Sequence, residues 1–588
     1  MKKHSPFFAA RGDFSKASPT PNAQTLCFIL ITLWRFKLAT LVTLVFASLV
    51  ATPAYVFSYV SIAKGCTTAF YIDKDCDGYG VGTGYVTGMD ADDEDASINN
   101  LASVEAVYGE LDSGDPVTAK ANLLNFLANR KAASYTGIDD IYYISTTGNN
   151  STGKPNDYRY PFADFNNGVK LDSNFGPGDL IVWRGGTYNT TINHYGQPGE
   201  DGSPIISMSF PGEKAILQGT STIGVLYLSY NTSWLTFDSI QFGPDTGSIG
   251  ANGWHTAPSY TQSNIIVRYC EFLNLWQGTR CQYKLYNILM EYCVSHHNTG
   301  GGSHTNYWGG TGCYNQTFRG CIFYANIKPY PLFQWNGTGA TNLRWEGCIF
   351  HSGGHVALSL LNGIDNSYVV NCLFFNNNRN DILLYTYSTD WYGVADNNQI
   401  INNTFWRGNT TNEYGTSDPS AFASVKILNN VDSVPQTGNI FRNNVWHAYD
   451  SRIFNIDNSA VASATYIDHN IIYRQNDISV AIVSGTSYSF SEFEDSWVNI
   501  NSNSASDPSL VDVSVDYYLT PSKFDFSLSA SSPAIDFGIS AGAPKTDLRG
   551  YLRSGNPDAG CYEYSGADPP KPPDEDPPAP PIGLKVLP

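Results

Sequence analysis

The sequence predicts an all-β chain dominated by a parallel β-helix, a solenoid in which every coil adds one strand to each sheet. A short β-branched or aromatic phrase, bounded by Asn, Gly or Asp, recurs around a Cys or Asn anchor, with anchors 23 to 41 residues apart. Helical spacers are absent, and repeats of this length are typical of solenoids. Coils that return one strand spacing further on explain the pattern, and insertions at turns explain the variable gaps. The anchors are Cys270, Cys293, Cys321, Cys348, Cys372, Asn403, Asn444 and Asn470.

Composition limits the partners. The chain has 588 residues, of which 42% are hydrophobic and only 15% are charged, so it can bury a large core. The net charge of −19 argues against a nucleic-acid partner and favours cations or neutral ligands. We expect a monomer.

Residues 1–63 are predicted to be an export segment. Arg35 and Lys37 precede an apolar run over 38–50, and small residues follow at 52–54, which is the order of a secretory signal. A membrane anchor is the alternative, but the two apolar runs are each shorter than the roughly 20 residues that a bilayer requires. The protein is therefore expected to be secreted or held at the cell surface.

Residues 64–100 form an acidic module. Asp73, Asp75 and Asp77 alternate before Gly78, and a second acidic group, Asp90, Asp92 and Asp93, follows. Alternate carboxylates in a turning loop can bring their oxygens to one hard cation, and Ca²⁺ accepts six to eight such ligands. These six aspartates are the predicted Ca²⁺ ligands. The loop is not an EF-hand, because its twelfth position is Gly84 rather than Glu.

The module resembles the Asp-rich MopE-type repeat of exported bacterial proteins, in which a D-x-D-x-D-G-Y-G loop precedes D-C-D-D and an A-x-I-N ending. The resemblance implies a metal-binding loop over about thirty residues. Ala91 stands where that repeat usually has a cysteine, so no bridge from Cys76 to position 91 is expected. A solvated acidic linker is the alternative interpretation.

Residues 101–136 are predicted to be a helical connector that covers an end of the solenoid. Asp115 and Pro116 supply an N-cap and a first-turn proline. Leu123, Phe126 and Leu127 lie on one apolar face.

The β-helix is assigned to residues 137–565 and a Pro-rich tail to 566–588. Motifs at 141–145, 160–162 and 184–188, and others at 532–538, 547–550 and 557–563, resemble the entry and closing segments of secreted right-handed β-helix proteins of the pectate-lyase-like superfamily. Many of those proteins are polysaccharide lyases, so the resemblance implies a polysaccharide partner. Fold alone does not fix an activity.

The cysteines divide into two groups. Those at the anchors are predicted to stack along one inner turn, with the anchor asparagines continuing the column, rather than to form disulfides or a metal site. Cys66 with Cys76, and Cys281 with Cys313, remain candidate disulfides. Cys561 has no evident partner.

Strand alternation assigns directions around each anchor. If the aromatic residue two after the anchor points inward, the residue three after it points outward, which predicts an outward row that could stack on sugar rings. Inserted loops could instead cover this row. The histidines 296, 297, 304, 351 and 355 resemble a ligand cluster, but a stacked structural role is preferred because two of them belong to the row. The candidate carbohydrate-binding residues are Tyr324, His351, Phe375, Trp406 and His447.

Catalytic candidates are weaker. A lyase needs a cation or Arg to neutralise a uronate carboxylate and a base to remove the neighbouring proton. The acidic and basic motifs of alginate lyases, pectate lyases and polygalacturonases are not evident. The candidates are Lys328, His351, His355, Arg379 and Asp381.

Together, these observations predict an exported calcium-binding β-helix that recognises polysaccharide. The alternatives are a polysaccharide lyase acting on a uronate polymer and a structural or adhesive surface protein. Whether the protein is an enzyme is left open.

Overall fold

The computed structural model is a parallel β-helix, as the repeat predicts. It describes residues 69–82, 87–219, 224–257, 259–281, 284–300, 303–306, 313–325, 331–336, 339–386, 394–408, 423–430, 434–476, 479–514, 521–564 and 566. The predicted export segment, Cys66, Lys328 and nearly all of the Pro-rich tail lie outside these residues. Within the described residues, no helix has the length and hydropathy needed to span a bilayer.

Each coil contributes to three sheets in turn. Sheet 1, with 14 strands, holds Ile141–Ile144, Leu180–Trp183, Ile205–Ser209, Thr232–Asp238, Gln262–Arg268, Leu285–Glu291, Tyr314–Arg319, Ala340–Glu346, Ile364–Asp365, Tyr368–Val370, Gln399–Ile401, Ile440–Arg442, Tyr466–Asp468 and Ile500–Asn501. Sheet 2, with 11 strands that follow the anchors where anchors occur, holds Gly186–Tyr188, Ala215–Leu217, Ile240–Phe242, Glu271–Leu273, Val294–His296, Ile322–Tyr324, Ile349–His351, Leu373–Phe375, Thr404–Arg407, Val445–Ala448 and Ile471–Arg474.

Sheet 3 completes the coil. Its 12 strands are Ile192–Tyr195, Leu226–Ser229, Asn252–Thr256, Gln277–Arg280, Ser303–Asn306, Phe333–Asn336, Leu358–Leu361, Ile382–Thr386, Ala423–Asn429, Arg452–Ile456, Ser479–Val483 and Thr486–Ser489. Neighbouring strands in the three sheets are parallel, except for the last pair of sheet 3, which is antiparallel. A separate antiparallel pair joins Leu510–Asp512 and Asp525–Leu528.

The turn before each anchor explains the repeated phrase. The residue preceding the anchor has a φ of 50° to 61° at all eight predicted coils, which is the left-handed region. Gly and Asn adopt that region at least cost, so Gly-Cys and Asn-Asn pairs recur there. The φ values belong to Tyr269, Tyr292, Gly320, Gly347, Asn371, Asn402, Asn443 and His469.

The anchors are buried and stacked, as predicted. Each anchor cysteine directs its Sγ to a carbonyl of the preceding coil, as Cys348 does to Phe318 O at 3.3 Å. Asn444 donates Nδ2 to Ile400 O at 2.8 Å and accepts Asn403 N at 2.9 Å. Asn503 adds one further member that the sequence analysis missed, since it accepts Asn470 N.

The aromatic residues two after the anchors fill the interior. Successive rings lie nearly parallel, for example Phe350 on Phe374 at 4.8 Å and Phe374 on Phe405 at 4.8 Å. The inward assignment is therefore confirmed, and the outward assignment of the residue that follows comes with it.

In the described part of the chain, four α-helices lie outside the coils: α1 Leu101–Tyr108, α2 Pro116–Asn129, α3 Ser459–Ala464 and α4 Phe490–Ser496. Asp115 caps α2 through Thr118 N at 3.1 Å, as predicted. The expected position of this connector is wrong, because α2 packs Leu123, Phe126 and Leu127 on the outward face of the first strands of sheet 1 instead of over an end. At the other end of the solenoid, α4 packs its buried Phe493 against Phe454.

One of the two candidate disulfides is not formed. Cys281 is a free thiol, buried in the solenoid core, and is not bridged to Cys313. Cys76 is disulfide-bonded, while Cys66, its expected partner, is outside the described residues.

Candidate metal centre and the surfaces around it

The acidic loop is shaped by hydrogen bonds from its own backbone. Asp73 accepts Cys76 N at 2.8 Å and Gly78 N at 3.1 Å, while Asp77 accepts Tyr79 N at 2.8 Å. A bridge between Ile72 and Val81 closes the loop. Gly80 is required here, because a Cβ at its φ of 153° would lie 2.0 Å from Ile72 O. The sequence thus turns its alternate aspartates toward one side.

The loop and the second acidic group meet in two overlapping clusters that share Asp75. One contains Asp73, Asp75 and Asp93, and the other contains Asp75, Asp77 and Asp90; within each cluster one oxygen per carboxylate lies within 4.8 Å of the others. Five of the six predicted ligands therefore come together.

Several of these oxygens are buried without a hydrogen-bond donor. Both oxygens of Asp75, and Oδ2 of Asp77, Asp90 and Asp93, have no partner. Asp90 and Asp93 are only 5% and 1% exposed. Buried polar atoms normally find partners, so this set of oxygens has the chemistry expected for a hard cation.

Electrostatics supports the same interpretation. Burial, followed by the neighbouring carboxylates, raises the pKa of Asp75 to about 7 and that of Asp90 to about 9. Burial raises the pKa of Asp93 well above its usual range. Lys74 partly offsets the charge of Asp93, but it also pairs with Glu94. A divalent ion would supply the missing positive charge.

Asp92, which was predicted to be a Ca²⁺ ligand, has a structural role instead. Its two oxygens accept Lys131 N and Ala132 N, each at 2.7 Å, and it belongs to neither cluster. It ties the acidic module to the segment after α2. In that segment Arg130 is buried and donates to the buried Asp238 of sheet 1 at 2.8 Å.

The predicted sugar-stacking row forms, but it is covered. Tyr324, His351 and Phe375 stack with ring centroids 4.9 and 4.8 Å apart. Exposure of the five predicted residues is only 0% to 8%. The expectation of an exposed platform is therefore wrong for the structure described, and the covered alternative is favoured; the five residues are Tyr324, His351, Phe375, Trp406 and His447.

Two distant segments provide this cover. Phe70 of the acidic module makes edge contacts with Tyr324 and His351 at 5.4 and 5.1 Å. Phe524 contacts Trp406 at 4.5 Å, and Phe526 contacts Phe375 at 4.9 Å.

The four catalytic candidates that the structure describes have different partners. His351 contacts Ala69 O at 2.6 Å through Nε2. His355 Nε2 instead lies 2.6 Å from an Nη1 atom of Arg379. Asp381 is fully buried and accepts Ser424 Oγ at 2.6 Å, with Arg407 beside it at 3.6 Å.

The outward face of sheet 3 carries residues that the sequence analysis missed. Tyr227, His255 and Arg280 are in register on three successive strands. The rings of Tyr227 and His255 are 5.5 Å apart. The signal for this row is strand register, and no phrase around an anchor marks it.

Comparisons with known proteins find likeness in structure only. No family model matches the chain, and no curated protein matches it. Pectate lyase Pel9A is 16% identical with a TM-score of 0.46, covering 73% of this chain and 98% of its own. A rhamnogalacturonan lyase is 14% identical with a TM-score of 0.37, covering 56% and 87%.

An alginate lyase from Paenibacillus sp. str. FPU-7 is 14% identical with a TM-score of 0.35, covering 48% and 92%. At these identities the likeness concerns the fold alone.

Proposed function

We propose that this protein is an exported, calcium-binding β-helix that recognises polysaccharide outside the cell or at its surface. Calcium binding is supported by one observation above all: five carboxylate oxygens of Asp75, Asp77, Asp90 and Asp93 are buried around one loop without donors. All the available donors are oxygens, which favours Ca²⁺ over softer metals.

The ion would hold the acidic module together. Asp75 belongs to both clusters, so a cation there joins the loop to Asp90 and Asp93. The module in turn packs Phe70 on sheet 2 and is tied through Asp92 to residues 131 and 132. Because the module is built into the larger fold, calcium should stabilise the full chain.

The calcium proposal is tested on the full chain by calorimetric titration and by thermal unfolding with Ca²⁺, Mg²⁺ or a chelator. We expect saturable Ca²⁺ binding and a higher midpoint, since a ligand stabilises the state that binds it. Asp75→Asn with Asp90→Asn should abolish both effects. Asp95→Asn is the matched control, because Asp95 pairs with Lys131 and belongs to neither cluster.

Two results would contradict the proposal. One is a wild-type chain whose unfolding midpoint does not respond to Ca²⁺. The other is a double variant that binds Ca²⁺ as the wild type does.

Polysaccharide recognition is proposed for the outward face of sheet 3. The predicted row on sheet 2 is covered, whereas Tyr227 and Arg280 are partly exposed. An aromatic ring can stack on a sugar, and an Arg can pair with a uronate carboxylate. Parallel strands repeat at about 4.8 Å, so the three side chains form a row along the solenoid that suits a chain-like ligand.

Affinity electrophoresis with neutral and acidic glycans tests this surface. A retarding glycan is expected, with retardation weakened by Tyr227→Ala and by Arg280→Ala. Tyr466→Ala is the control, since Tyr466 is an exposed aromatic residue on sheet 1. The proposed location on sheet 3 would be contradicted if the control variant lost as much retardation as the two sheet 3 variants, or if those two variants lost none.

A polysaccharide lyase is the second candidate, favoured by the contact between His355 and Arg379. Burial, followed by the charge of Arg379, lowers the pKa of His355 to about 4, so this imidazole is neutral beside a guanidinium. A base and a carboxylate-neutralising Arg are the groups that β-elimination needs. Arg379 donates to Nε2 of His355 in the structure, so a uronate carboxylate has to draw the guanidinium away before this imidazole can accept a proton. Uronic acid polymers with and without Ca²⁺, followed by absorbance of an unsaturated product, test it. Product formation that survives Arg379→Ala would exclude this pair of residues as the catalytic site. If no polymer gives an unsaturated product, the lyase candidate is excluded and polysaccharide binding without catalysis is the remaining proposal.

A further inference from the structure

Two consecutive histidines at the end of a sheet 2 strand face each other through the same ring atom. His296 ends the strand Val294–His296, and His297 follows it with a φ of 52°. Their Nδ1 atoms are 2.7 Å apart. His296 is buried, whereas His297 is exposed, so the pair joins the interior of the protein to its surface.

The orientation of His296 is fixed from two sides. Its Nε2 lies 3.0 Å from Oε1 of Glu271, a carboxylate that is only 1% exposed. Its ring stacks on Tyr324 at 4.7 Å with an interplanar angle of 1°. In the tautomer whose Nε2–H donates to Glu271, the Nδ1 lone pair of His296 faces Nδ1 of His297.

We propose that His296 and His297 bind a divalent transition-metal ion such as Zn²⁺ through their Nδ1 atoms. Imidazole nitrogens suit such ions, and a ligating histidine normally donates its other N–H to a carboxylate, the place that Glu271 holds here. This site shares no residue with the proposed calcium and polysaccharide sites, and its donors are nitrogens rather than oxygens.

The geometry requires only a small adjustment. Ligands at about 2.1 Å in a tetrahedral zinc site are about 3.4 Å apart, compared with 2.7 Å between the two Nδ1 atoms. A rotation of the exposed His297 side chain supplies the difference. The ion takes the place of the proton between the two Nδ1 atoms. That proton moves to Nε2 of His297. If these two histidines are the protein ligands, water or an external ligand takes the other positions.

Glu271 also has a positively charged neighbour. Lys214 lies 3.6 Å from Oε2 of Glu271 and also pairs with Asp245 at 3.4 Å. Lys214 therefore places positive charge beside Glu271, the carboxylate that faces Nε2 of His296.

The test uses the full chain in saturating Ca²⁺, so that the acidic clusters do not compete for the added metal. Calorimetric titration with Zn²⁺, and the visible absorption of added Co²⁺, should report one nitrogen-ligated ion per chain. His297→Ala should abolish binding; because His297 is exposed, this change should leave the fold intact, which circular dichroism verifies. Glu271→Gln should weaken binding by about 10- to 100-fold, the usual effect of losing such a carboxylate.

His469→Ala is the matched control. His469 is partly exposed and pairs with Asp468 at 2.9 Å, away from the histidine pair. Unchanged Zn²⁺ binding in this variant supports the assignment. If the wild type and His297→Ala bind Zn²⁺ equally, or if neither binds it, the proposal is overturned and the two rings only share a proton.

Discussion

His194 shows at the scale of one residue how the solenoid core treats a polar ring. It is fully buried, lies 4.7 Å from the ring of Phe165 and 5.8 Å from that of Phe237, and has no partner at either ring nitrogen. Burial, followed by the charge of Lys170, lowers its pKa to about 3. Because a charged imidazole without a partner is costly in such a place, this histidine must be neutral in the folded protein.

This burial predicts a dependence of stability on pH. A histidine whose folded pKa is lowered stabilises the fold above its unfolded pKa near 6.5, and that stability is lost as the pH falls toward about 3. The loss approaches about 1.4 kcal/mol per pH unit for one group. Chemical denaturation at several pH values should therefore show that the free energy of unfolding falls less steeply with decreasing pH in His194→Leu than in the wild type. Equal slopes for His194→Leu and the wild type would contradict the prediction.

At the scale of one element, the anchor column contains cysteines in its first coils and asparagines in its later ones, at the same position of each coil. A cysteine anchor makes weak S–H contacts, such as Cys348 Sγ to Phe318 O at 3.3 Å. An asparagine anchor makes two strong contacts to backbone groups, as Asn444 does with Ile400 O and Asn403 N. The asparagine is therefore the costlier of the two to remove.

Substitution by alanine should separate the two kinds of anchor. Asn444→Ala leaves a buried carbonyl and a buried N–H without partners, each of which costs about 1–3 kcal/mol. Cys348→Ala loses mainly the packing of one sulfur, about 1 kcal/mol. Urea unfolding should thus show a loss in free energy of unfolding at least twice as large for Asn444→Ala. Equal losses would show that the asparagine hydrogen bonds contribute little.

The sequence predicts the repetitive part of the structure well, because each coil repeats the same local requirement. The inward row of Phe350 and Phe374 and the buried anchors follow from strand alternation alone. What it misses depends on contacts between distant segments. Neither Phe70 nor Phe524 belongs to a periodic pattern that would predict its position over sheet 2. The spacing of the aspartates does not distinguish Asp92 from its clustered neighbours.

At the scale of the whole molecule, one aromatic row passes beneath two independent covers. The acidic module covers the part of the row at Tyr324 and His351, and residues 524–526 cover the part at Phe375 and Trp406. Only the first cover carries the proposed calcium site. Its clustered carboxyl oxygens need a cation as their partner, whereas the second cover contains two stacked phenylalanines, Phe524 and Phe526, 5.2 Å apart.

Removal of calcium should therefore uncover one end of the row and not the other. Without the ion, the buried carboxyls of Asp75, Asp90 and Asp93 either repel one another or take up protons, and in both cases they lose the contacts that hold the module together. The module then loosens, and His351 loses its contact with Ala69 O. Labelling of the full chain with diethyl pyrocarbonate, followed by mass spectrometry, should show His351 becoming reactive in chelator and protected again by Ca²⁺. His447, farther along the same row, should not change. Equal labelling of His351 with and without Ca²⁺, in a chain that binds the ion, would show that the cover is held by its apolar contacts alone.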